Sequence, residues 1–109
     1  MGTALQGKTG TDTAKLTTAA AGNTQIIPGV AGKRIRVFAF LLSAAAANNV
    51  KFQSNTTDIS LITYCPATGG IVVPTIDMAW FSTAVGEALN LNLSAATSVS
   101  VQVQYDMVE

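Results

Sequence analysis

The stretch ALNLNLSAATSVSVQVQYDM, residues 88–107, carries the clearest alternation in the chain. Leu89, Leu91 and Leu93 alternate with Asn90, Asn92 and Ser94. After the connection Ser94 to Ser98, Val99, Val101, Val103, Tyr105 and Met107 alternate with Ser100, Gln102, Gln104 and Asp106. Successive residues of a strand face opposite ways, so each run reads as a strand with one buried face and one wet face. Their closeness in sequence predicts an antiparallel hairpin.

Working outward, Lys33 to Ser43 reads as a longer strand. It starts amphipathic, with Ile35 and Val37 opposing Arg34 and Arg36, and turns apolar on both faces from Phe38 to Leu42. A strand without a wet face is covered twice, here by the opposite sheet and by a loop or another chain. Ala44 to Asn49 reads as a turn, because Asn48-Asn49 tolerates left-handed backbone, and Val50 to Ser54 as the returning strand. Further strands are expected over Asp58 to Tyr64 and over Ile71 to Val73, the latter stopped by Pro74, with weaker ones over Ala14 to Ala20 and Gln25 to Ile27. About eight short strands separated by turns predict an all-β antiparallel β-sandwich of jelly-roll type. The expected organisation is an extended N-terminal arm over 1–12 and one sandwich domain over 13–109.

Composition narrows the function. The 109 residues make one domain's worth of chain, with 11% charged residues, six Lys plus Arg against six Asp plus Glu, and a net charge of zero. An average soluble domain carries about 25% charged residues. A neutral, charge-poor chain is not drawn to nucleic acid or to an anionic membrane, so neither is expected as a partner. The longest apolar run, Val37 to Leu42, is far short of the roughly 20 residues of a membrane helix, and the N-terminus lacks the basic start and apolar run of a secretory signal. The chain is therefore expected to be soluble and made in the cytoplasm.

Chemistry finds few footholds. There is no histidine and one cysteine, Cys65, which disfavours zinc and the usual nucleophile–base pairs. Cys65, between Tyr64 and Pro66, reads as a small buried hydrophobe. The carboxylates Asp12, Asp58, Asp77, Glu87, Asp106 and Glu109 show no spacing that pairs them across a cleft, and no phosphate-cradling glycine motif is present. No catalytic residue, metal or cofactor is expected. Lys33, Arg34 and Arg36 form the only basic cluster and read as a solvated strand start. Trp80 and Phe81, after Pro74, either plug one end of the sandwich or anchor an interface. With the doubly apolar Phe38, Phe40 and Leu42, they are the candidate subunit-interface residues.

The segments GKRIRV (Gly32 to Val37), NNVKFQSN (Asn48 to Asn55) and WFSTAVGEALNLNLSAATSVSVQVQY (Trp80 to Tyr105) resemble small all-β virion proteins of tailed bacteriophages, above all those that decorate phage heads. The resemblance implies a non-enzymatic structural protein on the outside of the virion, bound to the major capsid protein and cementing it, with a homotrimer as its usual form. It also implies an N-terminal arm that grips the shell by adding to a sheet edge. In this chain that role falls to Gly2, Thr3, Leu5, Lys8, Thr9 and Thr11, in a Thr-rich segment that buries too little apolar surface to order alone. Similar modules occur in phage fibres and tails, so a tail-associated module binding a host surface or carbohydrate is the alternative.

Overall fold

The computed structural model describes residues 12–76 and 78–109. Ten strands run through them: β1 (Asp12–Thr18), β2 (Gly22–Ile27), β3 (Arg34–Ala44), β4 (Asn48–Ser54), β5 (Thr57–Asp58), β6 (Thr63–Cys65), β7 (Gly70–Val73), β8 (Phe81–Ser82), β9 (Leu89–Leu93) and β10 (Val99–Val108). The arm residues Gly2, Thr3, Leu5, Lys8, Thr9 and Thr11 lie outside the described residues.

Every pairing is antiparallel, and the pairs are nested. The chain doubles back so that β1 meets β10, β2 meets β9, β3 meets β7 and β8, and β4 meets β5 and β6. This long ribbon then rolls, so that β10 also pairs with β3 and β9 with β4. The first sheet has the order β1-β10-β3-β7 with β8 beside β3, and the second β2-β9-β4-β5 with β6 beside β4. A doubled ribbon wound into two facing sheets is jelly-roll winding. The expected all-β jelly-roll sandwich is the fold observed.

The expected hairpin of residues 88–107 does not form. β9 lies in the second sheet between β2 and β4, whereas β10 lies in the first between β1 and β3. The segment is an arch that crosses the sandwich, with Leu89, Leu91 and Leu93 on one side of the core and Val99, Val101 and Val103 on the other. Alternation is the same for a hairpin and for an arch. Strand length separates them: the ten residues of β10 find a match in the eleven of β3, and β9 has only five.

Asn48 and Asn49 belong to β4 and not to the preceding turn. Asn48 is buried and its side chain ties down the arch. Its Nδ2 donates to Ala95 O (3.0 Å), Thr97 O (3.3 Å) and Thr97 Oγ1 (2.8 Å), and its Oδ1 accepts from Ser94 Oγ and the Ala95 amide, both at 3.2 Å. The strand expected over Asp58 to Tyr64 is broken into β5 and β6, with 59–62 belonging to neither.

The loss of alternation in β3 has a local cause. Val37 pairs with Tyr105 and Ala39 with Gln104, so Phe38 is an extra residue opposite that step, a β-bulge. Ile35 and Val37 point inward before it, Leu42 and Ala44 after it, and odd positions give way to even ones. Phe38 is 1% exposed without joining the main core, and the Arg36 guanidinium sits 5.1 Å from its ring centre. The chain itself therefore covers Phe38, and Leu41, on the wet face, stays open.

Candidate interaction surface

One lateral edge of the sandwich is closed by β1 and β2, which are adjacent in sequence and linked by the Thr18–Thr24 hydroxyl contact at 3.2 Å. The opposite edge carries short strands, β7 and β8 on the first sheet and β5 and β6 on the second. Short strands cannot carry the two sheets into contact along their whole length, and a cleft of about 440 Å³ opens between them. Its floor is aromatic. Phe40 and Phe81 each approach Phe52, both at 4.9 Å between ring centres, and stand 6.0 Å from each other. Such tilted arrangements add to what burial alone contributes.

The rim comes from three segments. Leu61, in the link between β5 and β6, is 88% exposed. Val72 of β7 is 71% exposed, and Trp80, before β8, is 45% exposed. The indole is held in place: Trp80 Nε1 donates to Pro74 O at 2.9 Å, and its backbone amide donates to Val37 O at 2.8 Å. Val72 also borders a second hollow of about 250 Å³ on the outer face of the first sheet, with Ala39, Leu41, Gln102 and Gln104. The two hollows make one continuous apolar surface running from Leu41 through Val72 to Trp80 and Leu61.

The two readings of Trp80 and Phe81 divide between the residues. Phe81 packs against the core, and Trp80 presents a fixed, open aromatic surface. Of the other interface candidates, Leu42 is fully buried in the core, Phe38 is enclosed beside Arg36, and Phe40 is half-buried in the cleft floor. Leu61, Val72 and Leu41 were not singled out from sequence. Their signal was present as apolar residues inside short strand-like runs, but which of those runs would stop short was not readable.

Among the described residues, charges stand away from the cleft lining. Arg36 holds Asp106 through two hydrogen bonds of 2.8 and 2.6 Å, which raise the arginine's pKa further against the opposing effect of desolvation. Asp58 accepts from Gln53 (2.6 Å) and Lys51 (3.0 Å), and these contacts hold its carboxyl below the usual range. Burial pushes the Cys65 thiol up, which keeps it protonated and unreactive. Among the described residues no three of Cys, Asp and Glu stand together as metal ligands would. The surface is built for contact: a fixed indole, two exposed aliphatic side chains and, among the described residues, no ionisable group in the lining.

No family model matches the chain, and it matches no curated protein and no solved structure.

Proposed function

We propose that this protein is a non-enzymatic structural component of a tailed-bacteriophage virion, seated on the outside of the head and stabilising the capsid. One observation carries the reading: an apolar surface along one sandwich edge, rimmed by Leu61, Val72 and Trp80, in a chain with 11% charged residues. Single exposed apolar residues are ordinary, but a continuous patch marks a contact site. The resemblance to head-decoration proteins supplies the identity of the partner, the major capsid protein, and the trimeric form.

The mechanism is mass action. A module that binds only the assembled shell stabilises it by its own binding free energy, and no chemistry is needed. Trp80 acts as the anchor, because tryptophan is enriched among the few residues that dominate binding energy, and Leu61 and Val72 add apolar area beside it. The arm, expected over 1–12 and taken as 1–11 because Asp12 begins β1, supplements them by strand addition, in which backbone hydrogen bonds give affinity without a side-chain motif.

The test is to image particles carrying a labelled copy and to measure occupancy for the wild type, Trp80→Ala and a chain lacking residues 1–11. Label at regular head positions, reduced by either change, supports the reading. Label at the tail tip, or none on the particle, refutes it.

A further inference from the structure

The outer face of the first sheet is laid out in rows. The strand registers set Lys15, Gln102, Leu41 and Val72 side by side across β1, β10, β3 and β7. The neighbouring outward row is Thr17, Ser100, Ser43 and Gly70. The first row holds the longer side chains and the second the small ones, so a ridge runs across the strands beside a trough. At the crest Leu41 is 46% exposed and Val72 71%. A hollow of about 150 Å³ lies on the trough side of the ridge, against Leu41, Gln102, Ser43 and Ser100. The hollow of about 250 Å³ lies on its other side, against Leu41, Gln102, Ala39 and Gln104.

The two rows are poor in charge. Lys15 is their one charged residue, and it stands at the β1 edge of the sheet. A solvated surface ordinarily carries about 25–35% charged residues of both signs, whereas the centre of a protein interface is depleted of them. The trough also uses its polar atoms within the sheet, where the hydroxyls of Thr17 and Ser100 share a hydrogen bond of 2.9 Å. An apolar side chain laid over that pair leaves the bond between the two hydroxyls in place.

We infer that this face packs against the same face of a second copy, about a two-fold axis lying in the contact plane midway between ridge and trough. Such an axis exchanges the two rows. Each copy's ridge enters the other's trough, with Leu41 over Ser43 and Val72 over Gly70, and the contact occurs twice. Ridge and trough lie one two-residue step apart on every copy, about 6.6 Å, so their spacing matches for this face against itself and only by accident for another surface. The axis reverses the strands without crossing them, which keeps them within the roughly 30° that stacked sheets adopt. Four strands by seven residues span roughly 19 by 23 Å, so two copies bury on the order of 900 Å² before side-chain relief is added, close to the roughly 1,000 Å² of a specific contact. The expected product is a dimer of modest affinity. It leaves Trp80 and Leu61 open at the cleft edge, with Val72 on the border. The inference rests on neither the capsid reading nor the trimeric form that the resemblance implies.

The test is sedimentation equilibrium of the full chain from micromolar to millimolar concentration, read as a dimer dissociation constant. Leu41→Ser leaves small side chains facing each other, and Ser43→Leu sets ridge against ridge. Each should weaken pairing about tenfold, the equivalent of about 1.4 kcal/mol. Leu41→Ser combined with Ser43→Leu exchanges ridge and trough on β3 and should return the constant to within about threefold of the wild type, a coupling that only this face against itself produces. Trp80→Ala, at the cleft, should leave pairing unchanged. Leu41 and Ser43 both face outward, and melting curves verify folding. Should a variant not fold, Gln102→Arg on the same exposed ridge takes its place and should abolish pairing by adding a cation to each side. A chain that stays monomeric at millimolar concentration overturns the inference. So does pairing that survives both single substitutions, that the double variant fails to restore, or that is lost in Trp80→Ala. A trimer overturns the two-fold contact and leaves the capsid reading standing, and a dimer that never occupies heads does the reverse.

Discussion

Replacing Asn48 by alanine tests the arch between β9 and β10 directly. Asn48 is 4% exposed and makes five contacts with residues 94–97, a segment that would lie elsewhere in a hairpin. The hydroxyls of Ser94 and Thr97 stay near solvent and can turn to water, so their loss is cheap. The Ala95 amide and the Thr97 carbonyl lose a partner in part-buried surroundings, whereas the Ala95 carbonyl keeps the Thr97 amide. An unsatisfied group of this kind costs about 1–3 kcal/mol, and a typical hydrogen bond contributes about 0.5–1.5 kcal/mol net. The sum is about 2–4 kcal/mol, a large share of the roughly 5–15 kcal/mol of an ordinary domain. For a chain of this size each kcal/mol moves the midpoint by about 4–8 °C, so a fall of roughly 10–25 °C is expected by calorimetry. Asn49→Ala, next door and facing outward, should change stability by no more than about 0.5 kcal/mol. If Asn48→Ala melts within two or so degrees of the wild type, roughly the shift of a neutral surface change, the side chain does not hold the arch and the reasoning fails.

Leu93→Asp or Val101→Asp should abolish cooperative folding, because each sets a carboxylate among core side chains at a cost of several kcal/mol; soluble variants that melt cooperatively would show the faces to be wrongly assigned. Leu61→Ser together with Trp80→Ala should sharply reduce occupancy on heads while cooperative folding survives, since Leu61 is 88% exposed and Trp80, a little over half covered, lies outside the core cluster. Because the Asp58 carboxyl is held below its unfolded value, its contribution is present above about pH 4 and is lost as the pH falls through the folded pKa. Asp58→Asn should therefore flatten the acid limb of the stability profile, and an unchanged limb in denaturant titrations would show the contact with Gln53 and Lys51 to be without weight.

Local alternation was enough to assign the inward faces of β9 and β10. Leu89, Leu91 and Leu93 and Val99, Val101 and Val103 are buried as their alternation required, because the two-residue period of a strand is a local property. From that pattern, with its many turns, the all-β sandwich followed. Which strands pair was decided only in three dimensions. The same alternation serves a hairpin or an arch, and competition among β1, β2, β3 and β4 for β9 and β10 settled it. The Phe38 bulge was hidden for a related reason: it is a register step between two strands distant in sequence, so the run Phe38 to Leu42 looked covered twice when its inward face had merely shifted by one residue. The contact surface was the least legible part. Trp80 stood out as a large aromatic in a loop, but Leu61, Val72 and Leu41 become a patch only because β5 to β8 are too short to close their edge of the sandwich. Exposure of an apolar side chain depends on what fails to cover it, and that is a property of the assembled sheets.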